Sequence, residues 1–224
     1  MTDSLAMGGT ERQFVTLAQA LDRSRFEISL GCLQRHGIFT DNLEEISEFN
    51  LGGGFFTRQA RESRRRLVHH LRAQDASIAQ AFDFYSGLTL IPAARRARVP
   101  VVIGSHRHLG DLLTPLQSAA QMAAFCLCDR VVCNSRAAAR RLTEQSLPES
   151  RIVVIPNGLP QTAFADTAKL PSPAPGKLRI GFIARMSSPV KNHAGFLRAA
   201  ARLAARFPAV EFVLVGDGFL RPGL

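Results

Sequence analysis

The strongest constraint on this chain is the alternation of short apolar runs with helix-patterned stretches. Val99–Ile103, Arg130–Cys133 and Ile152–Ile155 are brief and rich in Val and Ile. A strand that is apolar throughout needs cover on both faces, the condition of a parallel strand sandwiched between helices. Between these runs lie an Ala/Leu-rich helix over roughly 111–128 and a second helix, capped by Ser135, that runs to about Glu144. Upstream, Phe14, Leu17, Ala18 and Leu21 fall at helical spacing, and Phe26–Leu30 alternates like a strand. An Arg-rich helix follows over 58–74, with Leu67, Val68 and Leu71 on one side, then a short strand within Ser77–Phe82 and a helix from about Leu88 to Arg98. This order predicts an α/β fold, a doubly wound parallel sheet.

The pattern changes after Pro156-Asn157-Gly158. Residues 159–177 carry Pro160, Pro171, Pro173, Pro175 and Gly176 and read as a linker. A strand at Leu178–Ile183, a helix over Ala194–Arg206 and a strand at Val210–Val215 then form one βαβ unit. Such a unit cannot bury both sheet faces, so 178–224 is expected to be the start of an incomplete second domain after a first domain at 1–158. Met1–Leu5 is short for a buried strand, yet a Gly-Gly turn and a helix follow at once, so a clipped first strand is expected.

With 46% hydrophobic and 21% charged residues, the chain can build an ordinary core. Its formal net charge of +10 fits nucleic acid, an anionic membrane surface or a phosphorylated substrate. The runs Arg64-Arg65-Arg66, Arg95-Arg96 and Arg140-Arg141 read equally well as solvated helix faces. Cys126 and Cys128 lack the two-residue gap of a metal pair, so Cys32, Cys126, Cys128 and Cys133 read as buried thiols in a reducing compartment. No metal site is expected. No apolar run is long enough to span a bilayer and no signal peptide is visible, so a cytoplasmic location is expected.

Candidate site residues gather after strands. Gly8-Gly9 opens the first helix, where free N–H groups and the helix dipole favour a phosphate or a sugar hydroxyl; a plain turn has the same signature. Arg185 and Lys191 follow the strand Leu178–Ile183, at the end where open α/β sheets bind ligands, though in a chain with 28 Lys and Arg they read equally as two loop cations. Arg forks onto a diphosphate and Lys acts as a point charge. Gly216-Asp217-Gly218 ends the next strand and either shapes a nucleotide pocket or simply turns. Asn192 and His193 read as helix-start caps. His106, after Val99–Ile103, reads either as a plain solvent-exposed loop histidine or as a group that orients or deprotonates an acceptor hydroxyl, and Arg107 as one that could bind an anionic acceptor. Asn134 and Ser135 read as structural residues that border the same edge.

The order of these motifs resembles family 4 glycosyltransferases. Leu5-Ala6-Met7-Gly8-Gly9-Thr10-Glu11-Arg12 is similar to that family's Gly-Gly-x-Glu-Arg opening. Asp129-Arg130-Val131-Val132-Cys133-Asn134-Ser135 resembles the strand closing its first domain, and Ile155-Pro156-Asn157-Gly158 its hinge. Gly181-Phe182-Ile183-Ala184-Arg185 with Lys191-Asn192 is similar to its donor-phosphate segment, and Val213–Gly218 to the strand and turn that follow. The resemblance implies a GT-B fold of two Rossmann-like domains. It also implies retaining transfer from a nucleotide-sugar, such as a UDP- or GDP-sugar, without a cofactor or obligatory metal. Arg185 and Lys191 would neutralise the leaving diphosphate. Backbone near Gly8 and Gly9, with Gly216 and Asp217, would line the donor site. His106 would be the active-site histidine. The implied partners are the nucleotide-sugar and a glycan or lipid-linked acceptor, with peripheral contact at an anionic inner membrane face; nucleic acid is not expected.

Two departures stand out. The first strand is short, and the family's Glu-x7-Glu segment would lie beyond Leu224, so little transferase activity is expected of the chain as given. The alternative is a non-catalytic GT-B-derived module whose basic surface binds anionic lipid or polymer. A nicotinamide-dependent oxidoreductase is disfavoured, because Gly-x-Gly-x-x-Gly is missing and Cys32-Leu33-Gln34 stands where an acidic residue would end the second strand.

Overall fold

A computed structural model describes residues 1–43, 45–109, 112–164 and 173–224. The chain forms two compact units, Met1–Ala163 and Phe164–Leu224. Their boundary falls in the Pro-rich stretch read as a linker, of which 165–172 lie outside the described residues.

The first unit begins with helix α1 (Gly9–Ala20), strands β1 (Gly31–Cys32) and β2 (Ser47–Glu48), and helix α2 (Arg58–Ala73). Strand β3 (Ile78–Gln80), helix α3 (Phe84–Ala97), strand β4 (Val101–His106) and helix α4 (Pro115–Cys126) follow. Strand β5 (Arg130–Cys133), helix α5 (Arg136–Glu144) and strand β6 (Ile152–Val154) complete it. Strands β3, β4, β5 and β6 form a parallel sheet in that order, and β1 pairs in parallel with β2.

The opening residues join these two sheets. On one side Thr2 N donates to Gly31 O and Leu33 N to Thr2 O, each at 3.1 Å. On the other the Met1 nitrogen donates to Gln80 O at 2.8 Å, and Phe82 N donates to Met1 O at 3.0 Å. The spatial order is therefore β2, β1, Met1–Asp3, β3, β4, β5, β6. The short opening segment thus sits in mid-sheet with partners on both edges. Successive strands are added first on one side of it and then on the other, the topology whose switch point opens a crevice at the carboxyl ends.

Two apolar clusters hold this unit. One joins Leu67 and Leu71 of α2, Ile91 and Ala94 of α3, and Phe125 of α4 to Val102 and Val131 of the sheet. The other packs Phe14, Val15 and Ala18 of α1 against Leu5, Cys32 and Phe82. Gly104 of β4 is a site of close approach. A methyl group there would lie 2.9 Å from the Phe125 ring and 3.1 Å from Cys128 Sγ, so α4 rests on bare backbone.

Several sequence expectations are corrected. Phe26–Leu30 is not a strand. Pairing starts only at Leu30, whose carbonyl accepts Ser47 N, and the ladder is Gly31–Cys32. The exposed residues before it find no partner strand among the described residues. Helix α3 begins at Phe84 rather than near Leu88, because a distant carboxylate caps it. Helix α4 begins at Pro115, capped by Thr114, whose Oγ1 accepts Gln117 N at 3.3 Å; residues 110 and 111 lie outside the described residues. Cys126 is exposed, whereas Cys32, Cys128 and Cys133 are buried and free. Burial pushes the Cys128 thiol up to about 12 and the Cys32 and Cys133 thiols to about 11, so these three are apolar packing groups.

In the second unit, strands β7 (Leu178–Ile183) and β8 (Val210–Val215) pair in parallel, residue for residue, beside helix α6 (His193–Ala204). Phe182 stacks on Phe196 with ring centroids 4.8 Å apart, and Arg179 pairs with Glu211 across the ladder at 2.9 Å.

Candidate functional site

Two groups of candidate residues are described separately, one in each unit. In the first unit the carboxyl edge of the sheet carries Gly8, Gly9, Asp83, His106, Arg107 and Asn134. Gly8 is the extended N-cap residue of α1, with φ −156°, so glycine is not needed there for its backbone angles. It leaves room for the Glu11 carboxylate, which lies where a methyl group would stand. Gly9 faces open space.

Asp3 and Asp83 meet at the switch point. Asp83 Oδ2 accepts Thr2 Oγ1 and, at 3.1 Å, Asp3 N. The Asp3 carboxylate accepts Tyr85 N at 3.2 Å and Ser86 N, the first amides of α3. Burial raises the Asp3 pKa to about 6, helped by the Asp83 charge and opposed by the Ser86 and Tyr85 bonds. Sequence reading missed both carboxylates. Asp83 carries the N-cap signature, but Asp3 acts through a contact with residues more than eighty positions away.

His106 ends β4 in register with Cys133. Its side chain turns toward α4 and is 1% exposed, with its ring 5.9 Å from Phe125 and 4.9 Å from His108. Neither ring nitrogen has a hydrogen-bond partner among the described residues. Burial lowers its pKa to about 4, and His108 and Arg141 push the same way, so the ring is neutral at neutral pH. A neutral imidazole can accept a proton or a hydrogen bond.

Arg107 takes a different course. Its guanidinium lies 5.9 Å from the centroid of the Phe82 ring and donates to Asn157 Oδ1. Asn134 Nδ2 donates to the Arg107 carbonyl at 3.3 Å. Burial lowers the Arg107 pKa and the Asp83 charge opposes it. Asn134, Asn157 and Arg107 therefore form one polar chain, which sequence reading saw only as neighbours of separate motifs. Ser135 is structural as expected, its Oγ accepting Ala138 N at 3.1 Å.

In the second unit two bonds extend the β7–β8 ladder past the strand ends. Ala184 N donates to Val215 O at 3.0 Å and Met186 N to Asp217 O at 2.8 Å. Ala184-Arg185-Met186 thus runs beside Gly216-Asp217-Gly218. Gly216 and Gly218 have φ of 149° and 152°, and a methyl group on either would collide with main chain, at 2.0 Å from Ala184 O for Gly216. This turn must be glycine on both sides of Asp217. Asp217 pairs with Arg221 at 3.5 Å at the surface. Arg185 is exposed, and Lys191 is exposed at the end of the short 3₁₀ turn Pro189–Lys191. Asn192 caps α6 from a left-handed conformation, its Oδ1 accepting Gly195 N at 3.2 Å. His193 is not a cap: its ring is buried against Phe182, with Nε2 3.3 Å from Ala184 O. No cluster of metal-ligating side chains occurs among the described residues.

A model of Glycosyltransferase Family 4 matches residues 7–161, which include the Gly8-Gly9 turn, His106 and the Asn157–Gly158 segment. The chain belongs to glycosyltransferase family 4. EpsF of Bacillus subtilis (strain 168), which bears a glycosyltransferase name, is 27% identical over 94% of this chain and 59% of its own. Among solved structures, Anabaena HepE with UDP and glucose superposes at a TM-score of 0.69 and 18% identity, over 99% of this chain and 62% of that one. The lipopolysaccharide outer core galactosyltransferase WaaB gives the same score and coverage at 14% identity. The fold is α/β of the GT-B type, with Rossmann-like units. This family 4 chain spans about three-fifths of the length of these relatives.

Proposed function

We propose that this family 4 chain belongs to a transferase that moves a sugar, with retention, from a UDP- or GDP-sugar to a glycan or lipid-linked acceptor. One observation carries the donor side. Ala184-Arg185-Met186 and Gly216-Asp217-Gly218 run in parallel past the ends of β7 and β8, where an open α/β sheet receives a nucleotide. HepE, with its UDP and glucose, supports a nucleotide-sugar partner. Arg185 and Lys191 neutralise the leaving diphosphate, and this preorganised charge acts where negative charge develops. Glycines 216 and 218 let the backbone lie close, with Asp217 between them. The amides near Gly8 and Gly9 at the start of α1 approach the donor phosphate or sugar. The reaction needs no cofactor and no obligatory metal.

On the acceptor side, the buried neutral ring of His106, with a pKa too low for an effective base, orients the acceptor hydroxyl rather than deprotonating it. Arg107, steadied by Asn157 and Asn134, takes an anionic group of the acceptor. The protein works on the cytoplasmic side, with peripheral contact at the inner membrane face. No helix among the described residues is long and apolar enough to cross a membrane.

NMR titration with UDP and with GDP tests the donor side. The reading expects amide shifts concentrated at 184–186 and 216–218, removed by Arg185→Ala with Lys191→Ala. Shifts elsewhere, or shifts that survive the double substitution, would refute it.

A further inference from the structure

We propose that Gln13 is a positioning residue for the acceptor: through the strap Ile155-Pro156-Asn157-Gly158 it fixes the Arg107 guanidinium that receives the acceptor's anionic group. The proposal deepens the reading of Arg107 as the holder of that group and rests on it.

After β6 the chain does not leave the sheet at once. Ile155 N still donates to Cys133 O at 2.9 Å, so the strap starts beside β5. Two residues later Asn157 meets Arg107, which follows β4, and Gly158 meets Gln13 on α1. Neighbouring strands lie about 4.8 Å apart, and four extended residues reach about 13 Å. The strap therefore turns across the strands and runs over the carboxyl edge from β6 to α1. Pro156 suits this course, because its ring favours an extended chain and it has no N–H to leave unpaired.

Gln13 fastens the far end. A carboxamide offers a donor and an acceptor side by side, the pair that a neighbouring strand would offer. Gln13 uses both on the main chain of Gly158. Gly158 is exposed, and water can serve the same two groups, so the bonds add little to folding. What they fix is the place of Asn157.

Asn157 in turn fixes Arg107. Its Oδ1 accepts from Arg107 Nη2, Asn134 holds the Arg107 carbonyl, and the Phe82 ring lies 5.9 Å from the guanidinium. All three partners are neutral. Arg107 makes no ion pair with a described carboxylate. Asp83, whose charge reaches it, engages Oδ2 with Thr2 Oγ1 and Asp3 N. A half-buried cation held only by neutral groups lacks the counter-ion that would offset its desolvation. Asn157 takes one Nη2–H, which leaves a two-pronged face of the guanidinium for an oxyanion, a phosphate or a carboxylate. Holding the long side chain in place beforehand lowers the ordering cost when that anion binds.

Titration of this chain with inorganic phosphate, read by NMR at the Arg107 Nε–H and the Asn134 side-chain amide, tests the proposal. Saturable shifts are expected at both groups. Gln13→Leu should weaken phosphate binding about fivefold, and Asn157→Ala by about the same factor, the effect of leaving one long side chain to be ordered on binding. The double variant should bind no more weakly than Asn157→Ala alone, because Gln13 acts only through Asn157; a residue that merely steadied the fold would add a loss of its own. Gln145→Leu, which removes a comparable amide bond to Ser118, should leave binding within about twofold. Circular dichroism should report an unchanged fold in all of these variants. Unchanged binding in Gln13→Leu, or losses that multiply in the double variant, would overturn the proposal and leave Arg107 as the anion holder. An Arg107 that does not respond to phosphate in the wild type would overturn both.

Discussion

The carboxamide of Gln13 grips both main-chain polar groups of Gly158: Nε2 donates to the carbonyl at 2.6 Å and Oε1 accepts the N–H at 2.9 Å. A glutamine on α1 thereby completes the hydrogen bonding of a segment 145 residues away. Gln13→Leu removes both bonds. Each exposed bond is worth about 1 kcal/mol or less, so overall stability should change by about 1 kcal/mol. The local signature should be larger, with the Gly158 amide exchanging about tenfold faster by hydrogen exchange. Unchanged exchange would mean that the clasp is not formed in solution.

Gly216 and Gly218 offer a test of strain. Alanine at either position places a methyl group into main chain at an unfavourable positive φ. Each substitution should destabilise the second unit by about 1–3 kcal/mol. Gly181→Ala, on β7 with open space around it, is the control and should cost less than about 1 kcal/mol. Thermal or urea melts followed at α6 would read the difference.

His106 gives stability a pH dependence with a definite sign. Its folded pKa, about 4, is below its ordinary 6.5, so the unfolded chain takes up the proton first. Its contribution is fully present above about pH 6.5 and fades as pH falls toward 4. The full span is about 3 kcal/mol, and His106→Gln should flatten that slope in acid denaturation. Ring resonances of His106 should stay in the neutral form until well below pH 6.

Asp3 acts in the opposite direction. Its folded pKa is raised from 3.8 to about 6, so the native state binds the extra proton. That contribution is fully present below about pH 3.8 and is lost as pH rises through 6. Removing the neighbouring charge with Asp83→Asn should bring the Asp3 midpoint down. Carboxyl-carbon NMR titration of the wild type and the variant would show the shift or its absence.

On the proposed transfer reaction, Arg185→Ala and Lys191→Ala in a full-length protein should each raise the barrier by roughly 2–4 kcal/mol, seen in kcat/KM. Near-normal kinetics in both would remove these residues from the diphosphate site.

What the sequence made legible were the runs whose period is local. Strands β4, β5, β7 and β8 stood out because their apolar residues need cover on both faces. Helix α2 stood out because Leu67, Val68 and Leu71 repeat at helical spacing. The misplaced strand at Phe26–Leu30 has alternation without a neighbour to bond, and pairing is not a local property. The start of α3 was missed for a related reason, since its first amides belong to Asp3. Of the candidate site, Arg185, Lys191, Gly216 and Asp217 sit at strand ends, where topology alone pointed. The polar chain Asn134–Arg107–Asn157 was invisible because its three members come from three different strand ends and meet only in space.

The mid-sheet position of Met1–Asp3 has a consequence for how the molecule is made. These residues bond to Gly31 and Leu33 on one side and to Gln80 and Phe82 on the other. During synthesis they must wait, unpaired on one edge, until some eighty further residues have been added. Early folding is therefore left to the self-contained pieces, such as α3 with β4 and β4 with β5. The sheet closes around its opening residues late, through its longest-range contacts and at the slow end of the process.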